Sequence, residues 1–302
     1  MRINVEVSGL KLDNPTILAS GIWGETASSL IRIARSGAGG VVTKSIGIDE
    51  REGYKNPTVF EVETGLINAI GLSNPGIEKY GLEMKKYLKD ISKPIIGSIY
   101  GTKEQFPYLA KKFEDYGAKA IELNLSCPHV KKYGLDVCSD EEEVKQIVKE
   151  TKKIVHIPIF AKLSPNIADI TAVAKAVEEG GGDGIVAINT LKGMAIDIDF
   201  CMPILSNKVG GYSGKGIKPV GLRCVYEIAG SVKIPVIGVG GILCARDAIE
   251  YIMAGATAVQ IGSGIYYKGI GIFKEICNEL INFLKKNKYN SIEEIIGIAQ
   301  RK

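Results

Sequence analysis

The sequence predicts an α/β protein built as one (β/α)₈ barrel, a TIM barrel, with residues 1–302 forming a single domain. Three observations carry that prediction. Eight short β-branched apolar runs recur along the chain, amphipathic stretches separate most of them, and no proline- or serine-rich linker divides the whole. Apolar strands alternating with helices imply a parallel sheet covered by helices. Eight such units in 302 residues fit the closed barrel.

In chain order the strand runs are residues 16–20, 40–45, 94–100, 120–126, 158–164, 184–190, 235–241 and 258–263. Helical patterns fall at 28–36, 77–88, 103–116, 140–154, 167–179 and 245–254. An N-terminal hairpin precedes the first barrel strand, and a last helix at 273–285 closes the barrel.

The strand ends say more than the strands. In order they read Ala19-Ser20-Gly21, Thr43-Lys44-Ser45, Gly97-Ser98, Asn124-Leu125-Ser126-Cys127, Lys162-Leu163-Ser164, Asn189-Thr190, Gly240-Gly241 and Gly262-Ser263. In this fold the active site is assembled at the C-terminal ends of the strands. A single lysine at such an end commonly just reaches solvent. Polar or small residues at all eight ends argue instead for one shared cavity.

The last two ends, Gly238-Val239-Gly240-Gly241-Ile242 and Ile261-Gly262-Ser263-Gly264, read as an anion cradle. Glycines there let backbone N–H groups approach an anion, and the following helices add their positive N-termini. The loops after strands seven and eight are the usual phosphate site of this barrel. Gly210-Gly211-Tyr212-Ser213-Gly214, in the sixth strand-to-helix loop, would add a further wall. Glycines also serve tight turns, but two clusters at the expected strands favour a mononucleotide phosphate. No dinucleotide fingerprint is present, because Gly238-x-Gly240-Gly241 lacks its third glycine and the distant acidic residue.

A flavin suits the remaining groups. Lys162 would sit against the N1–C2=O edge and stabilise the anionic reduced ring, tuning a cofactor that does the hard chemistry itself. Asn124 and Asn189 offer paired donors and acceptors for heterocycle amides.

Composition narrows the field. The chain is 45% hydrophobic and 24% charged with a formal net charge of +4, and its short lysine runs sit among acids, as on solvated helix faces rather than a nucleic-acid footprint. No apolar run is long enough to span a bilayer and the first residues alternate like a strand, so a cytoplasmic protein without membrane contact is expected. The six cysteines lie far apart with no C-x-x-C, which argues against a disulfide framework, a zinc knuckle or an iron–sulfur cluster on this chain. With only His129 and His156, no metal site is expected.

Most free cysteines are inert packing, and that reading is assigned to Cys138, Cys201, Cys224, Cys244 and Cys277. Cys127 differs because it leaves strand four into a proline-containing loop over the barrel mouth, between polar groups. A thiol with an ordinary pKa near about 8.5 serves as nucleophile or proton acceptor where its surroundings favour the thiolate. The residues alone leave both roles open.

Taken together, Asn124-Leu-Ser-Cys-Pro128, Asn68-Ala-Ile-Gly-Leu72 with Asn74-Pro-Gly76, Lys162-Leu-Ser-Pro-Asn166, and Asn189-Thr190 with Gly193-Met-Ala-Ile-Asp197 resemble the dihydroorotate dehydrogenases over almost the whole chain. Gly193–Asp197, Gly210–Gly214 and Ile217-Lys-Pro219 resemble the NAD-linked class 1B catalytic subunit. The resemblance implies FMN held by Ser20, Lys44, Ser45, Asn124, Lys162, Ile188, Gly214, Gly240, Gly241, Gly262 and Ser263. It implies dihydroorotate bound by Lys44, Asn68, Ala69, Ile70, Gly71, Leu72, Asn124, Asn189 and Thr190. Cys127 would take the substrate's C5 proton while C6 delivers hydride to flavin N5, giving orotate for pyrimidine (UMP) biosynthesis. Class 1B enzymes pass the electrons to NAD through a second subunit carrying FAD and a [2Fe–2S] cluster, so a heterotetramer is implied.

The sequence departs from the family pattern in three places: His129 and Ser98 where asparagine is usual, and Lys215-Gly216 where proline-alanine is usual. Ser126-Cys127-Pro128-His129 also resembles the flavin domain of dihydropyrimidine dehydrogenase, which makes an enzyme of uracil or thymine the alternative. A tRNA dihydrouridine synthase would need a basic C-terminal helical domain beyond the barrel. A non-catalytic phosphate-binding barrel would need neither Lys162 nor Cys127.

Overall fold

The computed structural model describes residues 1–125 and 138–301. Its centre is a closed barrel of β1 (Thr16–Leu18), β2 (Gly40–Val42), β3 (Ile95–Ile99), β4 (Ala120–Asn124), β5 (Ile159–Leu163), β6 (Gly184–Ala187), β7 (Val236–Val239) and β8 (Ala256–Ile261). The strands follow chain order around the ring and every neighbouring pair is parallel. Such strands are covered on both faces, which is why their sequences are apolar runs rather than alternations. Among them only Asn124 and Thr257 are half-buried.

All eight expected strands are present. Most end one to three residues before the apolar run does, because the last residues leave the ladder and turn toward the barrel mouth. For the fourth run, Ser126 lies outside the described residues.

Helices α1 (Ala27–Arg35), α2 (Ile77–Tyr87), α3 (Gln105–Asp115), α4 (Glu141–Lys152), α5 (Ile170–Glu179), α6 (Lys218–Ala229), α7 (Ala245–Ala254), α8 (Gly264–Lys268) and α9 (Ile272–Lys286) cover the barrel. Their starts carry side-chain caps where the sequence supplies them. Thr26 accepts from Ser29 N–H at 3.2 Å, Asp140 from Glu143 N–H at 3.0 Å, and Asp169 from Thr171 N–H at 2.8 Å. Helices α6 and α8 are additions to the expected set. Gly216, Pro219 and Gly221 read as turn signals, yet the proline occupies the first turn of α6, where its missing N–H costs nothing.

The expected N-terminal hairpin pairs Val5–Val7 with Leu10–Leu12 and buries alternate residues against β8. Helix α9 packs on α7 and β1, across the seam where the chain's two ends meet.

The second and sixth strand-to-helix connections are long, and they pair with each other. Val59–Val62, Gly65–Asn68, Val209–Ser213 and Leu191–Met194 form a four-stranded antiparallel sheet beside the mouth. A small second core of Ile67, Ala69 and Leu205 lies beneath it. This sheet was not expected from the sequence.

Candidate active site

A cavity of about 510 Å³ opens at the C-terminal ends of the strands. Of the residues implied to hold flavin, Ser20, Lys44, Ser45, Asn124, Lys162, Ile188, Gly240, Gly241, Gly262 and Ser263 line it. Gly214 does not. It follows Ser213, which does, and its carbonyl lies 2.7 Å from where a Cβ on Gly241 would stand, so it backs the glycine turn. Of the residues implied for substrate, Lys44, Asn68, Ile70, Gly71, Leu72, Asn124, Asn189 and Thr190 line the same cavity. Ala69 does not line it: its side chain is buried in the small second core, because successive residues of extended chain point to opposite faces and Asn68 and Ile70 take the cavity side. Cys127, with Ser126, Pro128 and His129, lies outside the described residues.

Strand register sets the first contacts. Asn124 on β4 stands opposite Lys162 on β5, and its Nδ2 donates to Ser45 Oγ at 3.1 Å. The Ser45 hydroxyl lies 3.2 Å from that of Ser20 and 2.8 Å from that of Ser98. Ser98 is fully buried behind Ser45 and does not line the cavity, so it reaches a ligand only through its neighbour's hydroxyl.

Two lysines face the cavity from different surroundings. The Lys44 ammonium, itself buried, pairs at 3.1 Å with Glu25, whose side chain is 65% exposed. Lys162 sits at the floor, donating to Gln260 Oε1 at 3.3 Å with Glu122 Oε1 at 3.5 Å. Gln260 Nε2 donates in turn to Glu122 Oε2 at 2.6 Å. Glu25, Glu122, Gln260 and Tyr266 all line the cavity and were missed by the sequence reading.

At the cradle, Gly241 has a φ of +67° and a Cβ there would strike the Gly214 carbonyl and the Lys218 backbone, so the turn itself requires glycine. Gly262 is different. A Cβ on it would meet nothing in the protein closer than Ala19 Cβ at 3.6 Å, so protein packing does not demand glycine there, and the position opens onto the cavity. The short helix α8 comes next, the extra helix typical of phosphate sites in this barrel. The expected contribution of α7 is smaller than predicted. Leu243 and Cys244 N–H at its start already donate to Asp247 Oδ2, at 2.9 and 3.2 Å. Burial works against the Asp247 carboxylate, but Lys218 and the Leu243 N–H outweigh it and hold the carboxyl below its usual range.

The remaining cysteines divide. Cys138, Cys224 and Cys277 are buried and burial pushes each thiol up, Cys138 to about 12, as inert packing requires. Cys244 is half-buried at the cap of α7. Cys201 corrects the packing assignment: it is exposed, on a turn at φ +54° beside the antiparallel sheet.

Fold and cavity together define a class: a (β/α)₈-barrel enzyme whose mouth combines an anion cradle with two buried cations and paired amides. The chain belongs to the dihydroorotate dehydrogenase family, whose model matches residues 2–284. That family is flavin-dependent. Its relatives include a protein of Methanocaldococcus jannaschii, 51% identical over 301 residues and covering 98% of both chains. Another, of Pyrococcus furiosus, is 51% identical over 302 residues and all of both chains. A third, of Thermoplasma volcanium, is 51% identical over 298 residues and 98% of both. All three are named dihydroorotate dehydrogenase B (NAD(+)), catalytic subunit. Among the described residues no helix is long and apolar enough to cross a membrane.

Proposed function

We propose that this chain oxidises dihydroorotate to orotate, the redox step on the way to UMP, with FMN bound in the barrel mouth. The observation that carries the reading is the convergence of one cradle, two buried lysines and three asparagines on a single cavity. Relatives about half identical over their full lengths and named for this activity support it. They also favour dihydroorotate over the uracil or thymine of the dihydropyrimidine dehydrogenase alternative.

The residues fit FMN. Gly240, Gly241, Gly262 and Ser263, with the start of α8, suit its phosphate, and the open side of Gly262 leaves room for it. Ser20, Ser45, Asn124 and Ile188 line the way to Lys162, whose ammonium suits the N1–C2=O edge of the ring. When bound, FMN supplies at N5 an acceptor for the hydride that leaves C6 of the substrate. Lys44 holds the substrate carboxylate by a charge-assisted hydrogen bond, in place of Glu25. Asn68, Asn124 and Asn189 read the ring amides, and Thr190 and the 70–72 segment close round them. Cys127 removes the proton from C5, so that the C5=C6 bond forms as both C–H bonds break.

The electrons then leave through a partner. Relatives are named as catalytic subunits of an NAD(+)-linked enzyme, and this sequence has neither a dinucleotide fingerprint nor the cysteine spacing of an iron–sulfur relay. The assembly proposed is a cytoplasmic heterotetramer of two such chains and two chains carrying FAD and a [2Fe–2S] cluster. Purified alone, the chain should be yellow, release FMN on denaturation, and pass electrons from dihydroorotate to artificial dyes but not to NAD. Efficient NAD reduction by this chain alone, or rapid turnover with fumarate, would contradict the partner, and a colourless protein would contradict the cofactor.

A further inference from the structure

The cavity floor holds a buried carboxylate that the oxidation itself does not use. Glu122 is fully buried, two residues before Asn124 on β4 and on the same face. Gln260 reaches it from β8, on the opposite side of the ring. A buried ion pair is a poor source of stability, because the cost of desolvating two charges rivals their attraction. A wholly apolar floor would serve the fold as well.

The geometry of the three groups is graded. Charge-assisted N–H···O contacts close to about 2.7–2.9 Å when nothing prevents it. Here the Lys162 ammonium stays 3.5 Å from Glu122 Oε1, and among the described residues that oxygen has no hydrogen-bond partner. The Gln260 amide bonds both partners, accepting from Lys162 at 3.3 Å and donating to Glu122 at 2.6 Å. It acts as a spacer that ties the carboxylate down and holds it off the ammonium. The cation is therefore partly offset from below and still has donors for the cavity it lines.

We infer that Glu122 and Gln260 are positioning residues that act through Lys162: together they set how much of its positive charge a bound flavin ring meets. The inference rests on the reading that FMN occupies this cavity. Glu122 offsets part of the charge, and Gln260 limits that offset by keeping the pair apart. Neither touches the reacting atoms. Their effect is on the flavin's reduction potential, which rises when more positive charge faces the anionic reduced ring.

The test is an anaerobic, dye-equilibrated titration of the flavin in the purified chain. Glu122→Gln should raise the midpoint potential by at least about 30 mV, the equivalent of a tenfold gain in affinity for reduced over oxidised flavin. Gln260→Leu keeps both charges but removes the amide, so the carboxylate closes on the ammonium and the potential should fall. If Glu122→Gln does not fold, the direction of the Gln260→Leu shift decides. In a Lys162→Met background the Glu122→Gln shift should vanish, since its agent is gone. Unchanged flavin potentials in both single variants, shifts of the opposite sign, or a Glu122→Gln shift that survives the loss of Lys162 would overturn the inference. A wild-type chain without flavin would overturn the FMN reading and this inference with it.

Discussion

The two lysines at the barrel mouth are alike in sequence and unlike in setting. Lys44 and Lys162 are both buried, both at strand ends, and both pointed into one cavity. Lys44 has its carboxylate partner in Glu25 on the solvent side, where water can take over the glutamate's hydration at little cost. Lys162 has Glu122 beneath it, fully buried and tied by Gln260, with nowhere to go. An exposed partner can yield to an incoming anion, whereas a buried one remains as a standing part of the field. The difference matches the roles proposed for them, Lys44 for a ligand that comes and goes, such as the dihydroorotate carboxylate, and Lys162 for a resident cofactor.

That contrast can be broken in several ways, and the largest effect guards its premise. If the cavity is the site of dihydroorotate oxidation, Cys127→Ala should keep FMN yet reduce it roughly 10²- to 10⁴-fold more slowly, the usual contribution of a positioned base. Stopped-flow reduction of the variant at the wild-type rate would remove Cys127 from the reaction.

Next comes Lys44→Ala. A hydrogen bond to a charged group is worth about 1.5–3 kcal/mol, so dihydroorotate should bind roughly ten- to a hundredfold more weakly, with the flavin potential little changed. Lys162→Met should show the reverse pattern, a potential lower by about 30 mV or more, or weakened FMN retention, with a smaller loss in substrate affinity. Equilibrium binding and potentiometry on both variants would collapse the comparison if the two profiles coincided.

The smallest effect belongs to Glu25→Gln. An exposed ion pair contributes about 0–1 kcal/mol, so freeing Lys44 from it should tighten dihydroorotate binding by no more than about fivefold. Weaker binding in this variant would mean that Glu25 supports the ligand rather than giving way to it.

Much of this site was legible because the barrel writes its chemistry at strand ends. Lys44, Asn124, Lys162 and Asn189 stand out as the polar residues that terminate apolar runs. Glu122 and Gln260 carried a signal too, since each stands two residues before a cavity-lining residue, Asn124 and Gly262, and side chains in a strand repeat every second residue. Glu25 had none, because a loop carboxylate meets its lysine only once the chain is folded. The antiparallel sheet was hidden for a related reason. Its strands come from the second and sixth connections, and Gly210-Gly211 within it reads as a phosphate loop rather than a strand, glycine being a weak strand former. The same alternation that puts Asn68 and Ile70 at the cavity turns Ala69 away from it, which a contiguous motif does not reveal. Cys201 looked like any other isolated cysteine, and only the exposed turn that carries it shows otherwise.

The most direct measurement is anaerobic mixing of the purified chain with dihydroorotate and, separately, with dihydrouracil, following the flavin absorbance. If Lys44 receives the substrate carboxylate, dihydroorotate should bleach the flavin rapidly and dihydrouracil, which has no carboxylate to offer, little or not at all. Bleaching by dihydrouracil alone would contradict the account and assign the chain to the reduction of uracil or thymine.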